Sequence, residues 1–136
     1  MATTTAAITI TSSDLMDNAI SISNSNTLYQ AGGTTGIVET TGLAALKRAS
    51  ISKVDLIEYD QDTVSGAAAK VYIKNTSSSS TQYVQVFINS VELGRLYGGD
   101  WMLIPWDATS TNGYGDITIQ PSVATTMTVE FMGFFE

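Results

Sequence analysis

The chain has 136 residues and a formal net charge of −7, with no cysteine, no histidine and only 14% charged residues. That length fits one domain whose core needs no metal or disulfide; the missing cysteines exclude disulfides and thiolate chemistry, and the missing histidines remove the commonest general base and metal ligand. The acidic balance opposes a phosphate backbone and the six basic residues form no stripe, so nucleic acid is not an expected partner.

Met1 to Ala7 has no basic n-region, and nothing later approaches the roughly twenty apolar residues of a membrane span, so a soluble protein without a classical secretion signal is expected. Ser, Thr, Asn and Gln must supply much of the polar surface. Such hydroxyl-rich sequences suit strands and turns, because Thr is β-branched while Ser and Asn serve turns.

Residues 1–46 read as an extended N-terminal arm. Their apolar residues come as brief alternations, Ile8-Thr9-Ile10-Thr11 and Ile20-Ser21-Ile22-Ser23, each able to form a short strand, separated by Ser12-Ser13-Asp14 and followed by Asn24-Ser25-Asn26. Ser13 or Asp14 is placed to cap one helical turn through Leu15 and Met16. Gly32-Gly33-Thr34-Thr35-Gly36 and Thr40-Thr41-Gly42 repeat a Thr-Thr-Gly theme. The glycines make this stretch costly to order alone, which favours ordering against something else over a long surface loop. Leu43 and Leu46, at i and i+3 ahead of Lys47-Arg48, predict a further helical turn.

The body, residues 47–136, is a series of strands. Ser50 to Tyr59 alternates with a change of phase between Leu56 and Ile57, consistent with a β-bulge or an exposed apolar residue. After a turn at Asp60 to Gly66, Lys70 to Asn75 places Val71 and Ile73 on one face. Tyr83 to Asn89 places Val84, Val86 and Ile88 inward against Tyr83, Gln85, Phe87 and Asn89, and is expected to pair with the preceding strand through the serine loop at Thr76 to Ser80. Leu93 to Tyr97, a Gly98-Gly99-Asp100 turn and Trp101 to Ile104 predict a strand and its return, stopped at Pro105. Turn chemistry fills Asp107 to Asp116. Ile117 and Ile119 share a face, and Met127, Val129 and Phe131 begin a last strand running to Phe134-Phe135. A strand this apolar must lie inside a sheet or a subunit interface.

Short alternating runs with no long amphipathic helix predict an all-β fold. It is an antiparallel β-sandwich of roughly seven to nine strands, jelly-roll-like or immunoglobulin-like, carrying the N-terminal arm. No catalytic, cofactor-binding or metal-binding residue is assigned. Asp55, Glu58, Asp60 and Asp62 crowd carboxylates but lack the spacing of a calcium loop or a fixed glycosidase pair. Serine is too abundant for a pairing with Lys70 or Lys74 to carry weight as a dyad. Asn75-Thr76-Ser77 matches a glycosylation sequon, which means little without a secretory signal. Tyr97, Trp101, Trp106 and Tyr114 could form a sugar-stacking platform, although core or interface rings are the commoner use of such residues.

Three features taken together are the Gly32 to Gly36 loop, the strand Val71-Tyr72-Ile73-Lys74-Asn75, and the run Gly94 to Trp106 followed by Ile117-Thr118-Ile119 and Val129-Glu130-Phe131. In this combination the chain resembles small β-sandwich structural proteins of tailed bacteriophage virions, aquatic phages in particular. The pattern covers roughly the last hundred residues. The resemblance implies a non-enzymatic virion protein made in the host cytoplasm, most plausibly a capsid decoration or cement protein. Its partner would be the major capsid protein or another virion protein, and its oligomer a homotrimer, with no cofactor, nucleic acid or membrane involved. A tail or fibre-attachment component is the nearest alternative, and a carbohydrate-binding sandwich module follows. Interface residues expected on this reading are Ile8, Ile10, Ile20 and Ile22 of the arm, with Tyr97, Trp101, Trp106, Phe131, Phe134 and Phe135 of the body.

Overall fold

The computed structural model describes residues 3–15, 19–30, 32–58, 69–106 and 115–135. The turn expected at Asp60 to Gly66, and residues 107–114 of the turn expected at Asp107 to Asp116, lie outside them. Among the described residues the regular elements are strands: β1 (Thr5–Ser12), β2 (Ile20–Thr27), β3 (Glu39–Thr40), β4 (Ala44–Arg48), β5 (Val54–Ile57), β6 (Lys70–Asn75), β7 (Tyr83–Ile88), β8 (Val91–Tyr97), β9 (Trp101–Pro105), β10 (Ile117–Pro121) and β11 (Met127–Phe135).

All pairings are antiparallel, and the body is a β-sandwich. One sheet runs β5-β10-β7-β8; in the other, β11 is central, with β6 and then β9 on one side and β3 and β4 sharing the opposite side. Alternation builds the core: Val71 and Ile73, Val84 and Val86, Ile117 and Ile119, and Met127 and Val129 all point between the sheets and are buried. Each such side chain contributes roughly 1.5–3 kcal/mol over an exposed one. β11 carries the terminal phenylalanines inside a sheet, where Phe135 is buried and Phe131 and Phe134 are partly so.

Two connections differ from the expected hairpins. The serine loop takes the chain from β6 into the other sheet, and Gly98-Gly99-Asp100 takes it from β8 back to β9 beside β6. The corner is a genuine turn, closed by Asp100 N–H to the Tyr97 carbonyl at 2.9 Å and by Tyr97 N–H to Asp100 Oδ2 at 2.9 Å. What separates the strands beyond it is the end of β6. Asn75 N–H donates to the Asp100 carbonyl at 3.0 Å, Gly99 N–H donates to the Asn75 carbonyl at 2.9 Å, and Gly98 N–H donates to Ser79 of the serine loop at 3.2 Å. The fully enclosed Asn75 side chain completes the joint, its Nδ2 donating to the Leu96 carbonyl at 3.0 Å and its Oδ1 accepting from Ser77 N–H at 3.1 Å. The sequon asparagine is therefore a structural residue with its amide inside the fold.

The body has a hairpin at β7–β8, where Asn89 and Ser90 adopt φ of 46° and 68°, the signature of a type I′ turn. The strand expected through Asn89 thus stops at Ile88. Leu43 to Leu46 is not helical. It enters β4, which pairs with Met127 to Phe131, and Leu46 packs on the core. A single helical turn would form few hydrogen bonds for its ordering cost, whereas β11 offers a ready ladder. The expected boundary at residue 46 falls inside this strand. At the arm's turn, Ser12 is the capping residue, its Oγ accepting from Leu15 N–H at 3.1 Å, and Met16 lies outside the described residues. The phase change in β5 is a bulge, with Leu56 the extra residue between the partners of Ile117 and Thr118.

A Cβ on Gly98 would run into the backbone oxygens of Ser77 and Ser79. Gly98→Ala should cost about 3 kcal/mol, by forcing the two crossovers apart. Asn75→Ala should cost about 2–4 kcal/mol, by orphaning the Leu96 carbonyl and Ser77 N–H. Urea unfolding checks both; Gly94→Ala, where the added methyl meets open space, is the control.

Candidate interaction surface

β1 and β2 form a sheet of their own, paired over eight residues from Thr5↔Thr27 to Ser12↔Ile20. The two isoleucine alternations of the sequence are the middle of this hairpin, with Ile10 opposite Ile22. Only its base is tied down: Leu28 N–H donates to the Thr4 carbonyl at 2.9 Å, and Ile37 N–H to the Leu28 carbonyl at 2.9 Å. Ile37 is buried and anchors that base. Away from it, Ile10 remains 50% exposed and Ile22 53% exposed, and Ile8 is exposed as well.

The second Thr-Thr-Gly segment holds the chain against β11. Thr40 Oγ1 donates to the Gly133 carbonyl at 2.7 Å, while Thr41 Oγ1 accepts from Gly133 N–H at 2.9 Å. Gly42 adopts a φ of +75°, which only glycine takes without strain. This pair of hydroxyls does the work of an edge strand in two residues. Their periodicity gives no strand signal, and the repeated Thr-Thr-Gly is the only trace in the sequence.

Of the ten expected interface residues, the structure brings some together and removes others. Trp106 is 2% exposed, and its Nε1 donates to the Gly115 carbonyl. It and Phe135 are core residues. Trp101 is 50% exposed on β9 beside exposed Leu103. These two form the wall of a cleft whose other side is the hairpin: a part of about 380 Å³ reaches Thr5, Tyr72, Lys74 and Phe134, and an adjoining part of about 560 Å³ runs between Ala6 to Ile10 and Trp101 to Leu103. Ile8 and Ile10 thus meet Trp101 across a gap, and Phe134 lines its floor. Ile20 and Ile22 lie towards the tip of the hairpin, and Phe131 lies partly buried in β11. Tyr72 and Lys74 were not among the expected interface residues, because an outward position on an ordinary strand carries no signal of what faces it.

Tyr97 lies elsewhere, on the outer face of the first sheet. Its ring sits 5.2 Å from that of Tyr83 at 56°, and the Arg95 guanidinium stacks 4.8 Å over Tyr83 while pairing with Glu92 at 3.4 Å. The Arg95 pKa is raised by Tyr83 first and then by Glu92. The guanidinium therefore stays charged at any ordinary pH, and this exposed pair contributes little to stability. Phe87, expected to be outward, is buried at 6% exposure outside the main core cluster and is capped by Lys53 Nζ at 3.7 Å from its ring centre. Tyr114 lies outside the described residues; of the other three rings of the aromatic quartet, Trp106 is buried while Tyr97 and Trp101 are exposed on different sheets. Among the described residues, no group of three or more His, Cys, Asp or Glu is placed to hold a metal, and no helix is long and apolar enough to cross a membrane. No family model, curated protein or solved structure matches this chain.

The chain's two tryptophans separate cleanly by experiment. Trp106→Ala should cost about 3–5 kcal/mol of stability, whereas Trp101→Ala should change it by less than about 1 kcal/mol. Acrylamide should quench about half of the emission readily, and that accessible share should vanish in Trp101→Ala.

Proposed function

We propose that this protein is a structural component of a virion, a capsid decoration or cement protein that binds repeated sites on the outer shell as a homo-oligomer and stabilises it. The observation that carries the reading is the β1–β2 hairpin, a sheet of its own with Ile8, Ile10 and Ile22 exposed and, among the described residues, no strand pairing to either body sheet. A sandwich with a reaching arm suits assembly. The phage resemblance of the sequence supports the same role, as does a net charge of −7, which favours an outer surface over a DNA-lining position. Weak contacts suffice when several copies engage a repeating lattice together, because linkage raises the effective concentration of each. A tail or fibre-attachment position is the second virion reading. The exposed Trp101 beside Tyr72 favours glycan binding as a further alternative, since such a ring can stack on a sugar face.

The test is co-sedimentation with shells stripped of their surface proteins. The full chain should bind saturably and raise the temperature at which the shell opens. Deleting residues 1–27 removes β1 and β2 but keeps Ile37, β3 and the Thr40/Thr41 contacts, so the body should unfold cooperatively as before while shell binding weakens about 100-fold or more. Binding to isolated tails but not to shells would move the protein to the tail, and saturable saccharide-induced quenching of Trp101 without binding to either would favour the glycan reading.

A further inference from the structure

The open strand edges of this molecule are not equally protected. In the first sheet both edge strands are bulged, at Leu56 in β5 and at Leu93 in β8, and β8 also carries Glu92 and Arg95. In the second sheet the edge formed by β3 and β4 is broken into two short strands bearing Glu39, Lys47 and Arg48. Bulges, short strands and charges are the devices that keep an edge from pairing with another chain. β1 and β2 lack all three, and β9, though only five residues long, carries neither bulge nor charge. β1 and β2 pair over eight residues without a register shift, β9 pairs with β6 over five, and none of the three contains a charged residue. Pro105, at the very end of β9, is the one blunting residue.

We propose that the β1–β2 hairpin of one copy adds, edge to edge, to β9 of a second copy. This rests on the oligomeric part of the reading above and names its contact. The acceptor is apolar at Trp101 and Leu103 and bracketed by lysines, because β6 sets Lys74 beside Trp101 and Lys70 beside Pro105. The donor hairpin, residues 5–27, has no Lys or Arg, and its acidic residues are Asp14 and Asp17, between the two strands in sequence. The signs are therefore complementary, which steers association, while strand addition supplies backbone hydrogen bonds and covers the isoleucines. The molecule's own hairpin does not meet this need. The gap of about 560 Å³ is bordered by consecutive residues of both strands, Ala6 to Ile10 and Trp101 to Leu103, so β1 and β9 run alongside one another without pairing. A hairpin of two strands is marginal in water, and a third strand from a neighbour completes it. Since donor and acceptor are different surfaces of each copy, the contact is heterologous and closes into a ring or a reciprocal pair.

The experiment uses the full chain alone, in analytical ultracentrifugation over a concentration series. The expected result is a multiple of 14.5 kDa that dissociates on dilution. Ile10→Lys and Leu103→Lys alter exposed positions, so each should leave the thermal midpoint near that of the parent while raising the dissociation constant at least tenfold, roughly a 1.4 kcal/mol loss. The chain lacks cysteine, so a chain carrying Ile10→Cys mixed with one carrying Leu103→Cys should give dimers through a short bis-maleimide well above the yield of either chain alone. A single 14.5 kDa species at up to about 100 μM, association indifferent to both lysine variants, or no excess of mixed cross-links would each overturn the proposal. Shells are absent from every arm. A monomer here would remove the homo-oligomeric part of the virion reading and leave its shell binding standing, and failure to bind shells with association intact leaves this contact standing.

Discussion

Asn75 is the point on which the sandwich depends. It ends β6, and its backbone and amide together bond to Asp100, Gly99, Leu96 and Ser77, so one enclosed residue holds both the serine loop and the glycine corner. Both connections carry the chain between sheets, and each would otherwise expose backbone groups at the seam. A buried amide is costly unless its donors and acceptor are met, and here two carbonyl and N–H partners meet it at ordinary distances. Gly98 belongs to the same joint, because the serine loop lies where its side chain would be. With the joint in place, β6 lies beside β9 and β7 beside β8, and the apolar faces of the two sheets close on one another.

The arm follows a different logic. Its hairpin contributes nothing to the main core cluster, and its connection to the body is a short ladder at Thr4, Leu28 and Ile37. The next segment, by contrast, is committed to the body, because Thr40 and Thr41 bracket Gly133 and β4 lies along the first half of β11. The change from free hairpin to fixed edge thus occurs between Thr27 and Glu39. That division gives the molecule a sandwich and a small separate sheet with two unpaired edges.

The uneven defence of strand edges also has an energetic logic. A bulge or a charge on an edge sacrifices a little ladder or packing to prevent unwanted pairing. Three edges show such a sacrifice or are broken up, while β9 and the hairpin carry neither bulge nor charge, and the latter two border one cleft lined by Trp101 and Leu103. Polar hydroxyls and amides from Thr5, Thr9, Asn24 and Asn26 border the same region together with Lys74, so it is not a dry core.

Much of the fold was legible in the residues themselves. The two-residue alternation of Val71 and Ile73, Val84 and Val86, Ile117 and Ile119, and Met127 and Val129 marked strands and their buried faces, because side-chain direction along a strand is a local property of the backbone. The broken phase at Leu56-Ile57 marked a bulge for the same reason. Partner choice was not local. Gly98-Gly99-Asp100 makes a turn in either a hairpin or a crossover, and only the arrival of Asn75 from β6 decides between them. Likewise Trp101 and Trp106 bound one strand with similar sequence surroundings, yet one is half exposed and the other enclosed, since Trp106 joins a core cluster whose other members come from elsewhere in the chain. Ile8 and Ile22 announced a hairpin's apolar residues but not the cleft beside β9, which exists because the base at Ile37 sets the hairpin's position. Local alternation determined the strands and which way their side chains point; tertiary hydrogen bonding decided which strands lie together and which edges stay open.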